Sequence, residues 1–105
     1  MKILFRDHPV EVSLRWGRYN NNNTALVAFK GNEVYAKLSL NPGEDLLPDE
    51  ICIKNYSENM GVLESLVANG VLSNPVGHIA GPGGLTFPVC KILDRTKGMK
   101  LSEEF

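Results

Sequence analysis

The sequence predicts an α+β domain, in which an antiparallel β-meander of about five to seven strands packs against one short α-helix at about residues 59–69. Three observations predict it. Over residues 10–16 and 33–40, apolar side chains recur at every second position, which is the period of a half-buried strand. Leu63, Leu66 and Val67 fall at i, i+3 and i+4 and are followed by Gly70, the spacing of a single helical stripe with its stop signal. Short clusters rich in Gly, Asn and Pro punctuate the apolar runs, so the elements are short and the reversals tight.

Residues 2–6 read as a first strand, closed by an Asp7-His8-Pro9 turn in which Pro9 restricts His8 to extended geometry. Val10, Val12, Leu14 and Trp16 then alternate with Glu11, Ser13 and Arg15 until Gly17, and the tract Asn20 to Asn23 tolerates the left-handed backbone a reversal needs. Residues 24–30, TALVAFK, are short and mostly apolar, consistent with a central strand covered on at least one face. Gly31-Asn32 is a two-residue hairpin signal, and residues 33–40 form the fourth strand with Val34, Ala36, Leu38 and Leu40 inward.

Residues 41–49, with two prolines and a glycine, read as a loop that Leu46 and Leu47 pin to the body. A fifth strand at 51–54 leads to the helix, with Ser57 or Asn59 as N-cap, Glu58 near the positive end, and Glu64, Ser65 and Asn69 facing water. A helix of about ten residues is marginal by itself, so its stripe must dock on the sheet. VGHIA at 76–80 and the run 85–93 are further strands around a tight Gly-Pro-Gly-Gly loop; Pro88, lacking a backbone donor, assigns the last strand to an edge or a bulge. The expected organisation is one domain over 1–93 and a charged, flexible tail over 94–105.

At 105 residues, 43% apolar and 22% charged, the chain is long enough for one core. A net charge of −1 argues against a protein that coats nucleic acid, because such domains carry a clear basic excess. The charge is unevenly spread. Residues 1–40 hold six Lys/Arg against three Asp/Glu, whereas 41–105 hold five against nine. Three apolar residues between Lys2 and Arg6 fall far short of a secretory segment, and no run approaches the roughly 18 apolar residues of a membrane span. The expected setting is the cytoplasm, with Cys52 and Cys90 as reduced, buried thiols.

No constellation points to chemistry. His8, Cys52, His78 and Cys90 lack the paired spacing of a zinc site, and each cysteine sits in an apolar run rather than in the electropositive setting that activates a thiol. The Gly81 to Gly84 loop lacks the lysine and the following helix of a phosphate cradle. The carboxylates at 44–50 crowd one loop instead of facing each other across a cleft. The chain is therefore read as no enzyme, with no cofactor and no metal.

Tyr35-Ala36-Lys37-Leu38-Ser39-Leu40-Asn41, Ile53-Lys54-Asn55-Tyr56-Ser57-Glu58-Asn59, Val62-Leu63-Glu64-Ser65-Leu66, Gly77 and Phe87-Pro88-Val89-Cys90 together resemble a family of small domains from bacteriophages and conjugative or integrated mobile elements. Its members combine an N-terminal meander, a K-x-Y-S-E-N turn, a short helix ending in Gly and a closing strand with an aromatic-Pro pair. The resemblance covers about residues 10–93. Some similar small proteins are anti-CRISPR proteins, so it implies a non-catalytic inhibitor that binds a bacterial Cas effector or another host defence nuclease.

On that reading the partner-binding residues are Glu44, Asp45, Asp49 and Glu50, an acidic face able to enter a basic nucleic-acid channel, together with Tyr56, Glu58 and Asn59 at the turn before the helix. An alternative makes the domain a nucleic-acid binder through Arg15, Trp16, Arg18 and Lys30 of the basic meander. A third makes it a homodimeric module joined at an open sheet edge.

Overall fold

A computed structural model describes residues 1–104. Nine strands and one α-helix are formed among them: β1 (Lys2–Phe5), β2 (His8–Glu11), β3 (Ser13–Arg18), β4 (Thr24–Lys30), β5 (Glu33–Lys37), β6 (Glu50–Cys52), α1 (Val62–Ala68), β7 (Leu72–Ala80), β8 (Thr86–Ile92) and β9 (Met99–Glu104). The α+β class stands. The single meander does not, because the strands divide into three sheets, ordered β1-β2, β5-β4-β3-β9 and β6-β8-β7.

The alternating run at 10–16 breaks at Val12. Residues before it pair back with β1, Phe5 opposite His8, so the turn is Arg6-Asp7 and His8 and Pro9 already lie in β2. Residues after it pair with β4, Trp16 opposite Leu26. The side-chain period survives this change of partner, and Val12, Leu14 and Trp16 are all buried. β4 is buried along both faces from Thr24 to Phe29, as its unbroken apolar run requires.

The inward row expected of 33–40 is only half realised. A bulge opposite Ala28 and Phe29 shifts the register, and Val34 on this edge strand is 56% exposed while Leu38 is fully buried. Beyond β5 the chain crosses to the third sheet. Lys54 N donates to Leu38 O and Leu40 N to Cys52 O, with Ser39 bridging Ile53. In the following loop Leu46 is half-buried and Leu47 exposed.

The helix is shorter than expected and enters differently. Residues 57–59 form a 3-10 turn, and the N-cap of α1 is Gly61 in a left-handed conformation (φ 94) with no side-chain cap of its own. A Cβ there would lie 3.3 Å from Arg6 O and 3.4 Å from the Leu4 Cβ, so Gly61 serves both the turn and the close approach to β1. The capping role falls to Asn55, whose Oδ1 accepts from Leu63 N at 2.9 Å. Ser65, expected in water, is buried; its hydroxyl donates to Gly61 O and accepts from Leu4 N at 3.0 Å. The helix therefore docks beside β1, held by Ser65, with Val62, Leu63 and Leu66 in the common core.

Gly70 ends the helix as expected, with φ 72. Gly70 N donates to Val67 O and Val71 N to Leu66 O, both at 3.0 Å, the two-bond Schellman closure. Val71 and Leu72 turn into the core at 0% exposure.

Two expectations fail at the C-terminal side. β8 is the central strand of its sheet despite Pro88. The Pro88 carbonyl accepts from Ile53 N, and in extended backbone its missing N–H falls on that same side, where β6 has ended at Cys52. The stretch expected as a tail from Asp94 instead makes a 3-10 turn at Arg95–Lys97 and then β9, which pairs in parallel with β3, Arg15 opposite Met99 and Trp16 opposite Lys100. Phe105 lies outside the described residues.

Candidate functional site

The acidic residues split into two groups at opposite ends of β6. Glu44, Asp45 and Asp49 precede the strand and Glu50 opens it, whereas Glu58 and Glu64 follow it. Lys91 reaches Asp49 at 3.3 Å and Glu50 at 3.9 Å, and Glu50 also accepts from Leu47 N at 3.0 Å. Lys54 binds Glu58 at 2.9 Å, and this hydrogen bond first of all holds the exposed Glu58 carboxyl down at about 2. Glu44 and Asp45 remain, exposed at the loop tip.

That tip is held from below. The Asn23 side chain donates to Glu44 O at 2.6 Å and accepts from Leu46 N at 2.9 Å. Arg95 Nη2 donates to Pro48 O at 2.8 Å. Buried Asn23 is what the tract Asn20 to Asn23 contributes besides a reversal: its amide supplies the donor and the acceptor that an irregular backbone segment leaves unmet.

The turn before the helix is mainly structural. Asn59, expected at a partner interface, is 1% exposed, and its amide donates to Lys37 O at 2.8 Å; burial removes it from any contact surface. Asn55 caps the helix, as described above. Tyr56 is 40% exposed, with its ring 5.8 Å from that of Phe87 and beneath Lys54 Nζ. Of this trio, Tyr56 and Glu58 reach the surface.

The residues of the basic face are likewise divided. Arg15 and Trp16 are consecutive in β3 and point to opposite faces of its sheet. The Arg15 guanidinium lies 3.9 Å from the Phe29 ring centroid and donates to Gly31 O, and Lys30 stands over Tyr35. Trp16 is 5% exposed and belongs to the core. Arg18 lies on the opposite face from Arg15, and Lys30, though on the Trp16 side, sits at the other end of β4 from Thr24, the residue opposite Arg18, so the four do not form one surface.

Arg18 instead meets residues from the segment read as a tail. It lines a groove of about 1010 Å³ with Arg95 and Lys100, walled by Asn21 to Asn23 on one side and by Leu46, Pro48 and Asp49 on the other. Arg95 stands 5.4 Å over the Trp16 ring and is held by Thr24 Oγ1 at 3.2 Å as well as by Pro48 O. Burial, then the nearby charge of Arg18, lowers its proton affinity below the usual guanidinium value, against the pull of Asp49. A signal for this order was present in the sequence, since Asp94-x-Thr96 is an Asx-turn pattern, and Asp94 Oδ1 accepts from Thr96 N at 2.9 Å.

Both cysteines are fully buried and unpaired by disulfide, and burial pushes each thiol up to about 11. Neither is an activated nucleophile at neutral pH. Among the described residues no three His, Cys, Asp or Glu side chains gather where a metal could sit, and no helix is long and apolar enough to cross a membrane. Compared with protein-family models, curated proteins and solved structures, the chain matches none.

Proposed function

We propose that the chain acts by binding, as a counter-defence inhibitor of anti-CRISPR type from a phage or mobile genetic element, directed in the bacterial cytoplasm at a Cas effector or another host defence nuclease. The observation that supports this reading is the anchored acidic loop. Glu44 and Asp45 are exposed on backbone that Asn23 and Arg95 hold in place. Carboxylates presented from an ordered loop lose little conformational entropy on docking, which is where affinity is gained. Asp49 stands beside them with its partner Lys91.

In this reading the loop enters a basic channel that otherwise holds nucleic acid, and the association rate falls as salt rises. Glu50 serves the loop through Leu47 N, and Glu58 belongs to the far end of β6, so the contact set is Glu44, Asp45 and Asp49. The test adds purified protein to a panel of bacterial Cas effectors and follows cleavage of target DNA. Inhibition of one effector class is expected, together with at least about a tenfold loss of potency in the E44K/D45K/D49K variant at unchanged melting temperature, since charge pairs at interfaces commonly contribute that much. No inhibition of any effector, or full potency in the variant, would sink the proposal.

A second reading, a homodimeric module, is favoured by β7. This nine-residue strand is outermost in its sheet, and Val76 on it is 54% exposed. An open edge of that length can pair with a second copy. Light scattering decides it: a mass of 11.6 kDa at all concentrations excludes the dimer.

A further inference from the structure

We propose that the groove formed by Arg18, Arg95 and Lys100 is a binding site for the phosphate groups of a nucleoside phosphate. The three cations come from three separate segments, the end of β3, the 3-10 turn at Arg95–Lys97 and the start of β9. Only the folded chain brings them together. Like charges gathered in one groove repel, and an anion between them turns that cost into attraction. Arg95 is close enough to feel the charge of Arg18 as well as the opposing charge of Asp49.

The one carboxylate that lines the groove among the described residues only partly meets that need, since Asp49 pairs with Lys91 at 3.3 Å. Among residues 1–100 no ion pair joins Arg18, Arg95 or Lys100 to a carboxylate side chain. Arg95 is pre-positioned, clamped by Thr24 and Pro48 over Trp16, so its remaining donors can serve an oxyanion at little ordering cost.

The rest of the wall selects the class of ligand. Leu46, Pro48, Ile92 and Leu93 supply apolar surface beside the cations, and Leu93 is 61% exposed, suited to the face of a base or ribose. The volume is that of a small-ligand cleft. A long polyanion crossing the groove would run into Glu44 and Asp45, which adjoin Leu46 in the flanking loop. A compact phosphate ester would not.

The test is calorimetric titration of the intact protein at low salt with ADP, with inorganic phosphate and with a short oligothymidylate, following also the fluorescence of Trp16, the single tryptophan. Saturable binding of ADP, tighter than that of phosphate, is expected. R18Q and K100Q should each weaken it about tenfold while keeping the wild-type melting temperature; Arg95 is left in place because it also holds Pro48. The proposal is overturned by ADP that does not saturate below millimolar concentration, by R18Q and K100Q binding as wild type, or by phosphate binding as tightly as ADP. Oligothymidylate binding more tightly than ADP also overturns it, by assigning the groove to nucleic acid. The Glu44/Asp45 loop is unaltered in R18Q and K100Q, so this outcome is independent of the inhibition assay.

Discussion

Gly98→Ala probes the docking of β9, the element that a reading of the sequence placed in a mobile tail. Gly98 has φ −145 and ψ 168, an extended conformation that alanine adopts freely, so backbone strain plays no part. Space decides. A Cβ at 98 would lie 2.8 Å from Trp16 Nε1, 3.0 Å from Trp16 Cδ1 and 3.0 Å from Leu14 O. The oxygen belongs to the β3 backbone and the ring is 5% exposed in the core, so neither can yield cheaply. Overpacking of this kind costs about 1–3 kcal/mol, offset by about 0.4–1 kcal/mol from the smaller entropy of the unfolded alanine chain. Taking the middle of each range, the net loss should be about 1.3 kcal/mol, or a fall of roughly 5–10 °C in melting temperature for a domain of this size. Gly77→Ala is the control, since a Cβ there meets nothing within 4 Å; it should leave the melting temperature unchanged or slightly raised. Thermal melting followed by Trp16 fluorescence reads both variants. A Gly98→Ala protein that melts with wild type would refute the close approach of residue 98 to Trp16, and with it the seat of β9 on β3.

Asn55→Ala removes the acceptor for Leu63 N and should destabilise the protein by about 0.5–2 kcal/mol, the usual value of a helix cap; in urea melts the midpoint should fall with the slope unchanged. The buried thiols give a pH prediction. Their folded values of about 11 lie above the ordinary 9, so the unfolded chain releases these protons first. Their contribution to stability is whole below pH 9 and is lost as pH rises from 9 through 11. Melting temperature measured against pH should be level from 7 to 9 and then fall, less steeply in Cys52→Ala/Cys90→Ala relative to that variant's own neutral value. A disulfide-exchange reagent at pH 8 should react with the thiols only after denaturant is added.

Much of the fold was legible because it is written in local periodicity. The period of two in residues 10–16 predicted which of Val12, Leu14 and Trp16 are buried without knowing that the partner strand changes at Val12, because the pleat continues through the crossing. Gly70 announced the helix end through its left-handed backbone. The N-terminal end was misread for a physical reason: Ser57 and Asn59 have the chemistry of caps, but Asn59 is recruited to Lys37 O and the capping bond comes from Asn55, eight residues before its donor. Val34 was misread because a bulge in the β4–β5 ladder resets an alternation that looks unbroken in the chain.

The candidate sites were less legible. Six carboxylates between 44 and 64 look like one face when counted along the chain, yet β6 separates them and Lys54 and Lys91 engage three of them. Arg15, Trp16, Arg18 and Lys30 look like one basic surface, yet neighbouring strand residues point to opposite faces.

By itself the sequence determined the α+β class, the burial of Val12, Leu14 and Trp16, the helix stop at Gly70 and the sealed state of both cysteines, because each depends on spacing or local backbone preference. Tertiary structure alone decided the division into three sheets, the place of Pro88 in a central strand, the parallel pairing of β9 with β3 and the convergence of Arg18 with Arg95 and Lys100. Those outcomes depend on which distant segments meet. Parallel pairing joins residues some eighty positions apart, and periodicity within a segment carries no information about the partner it will find.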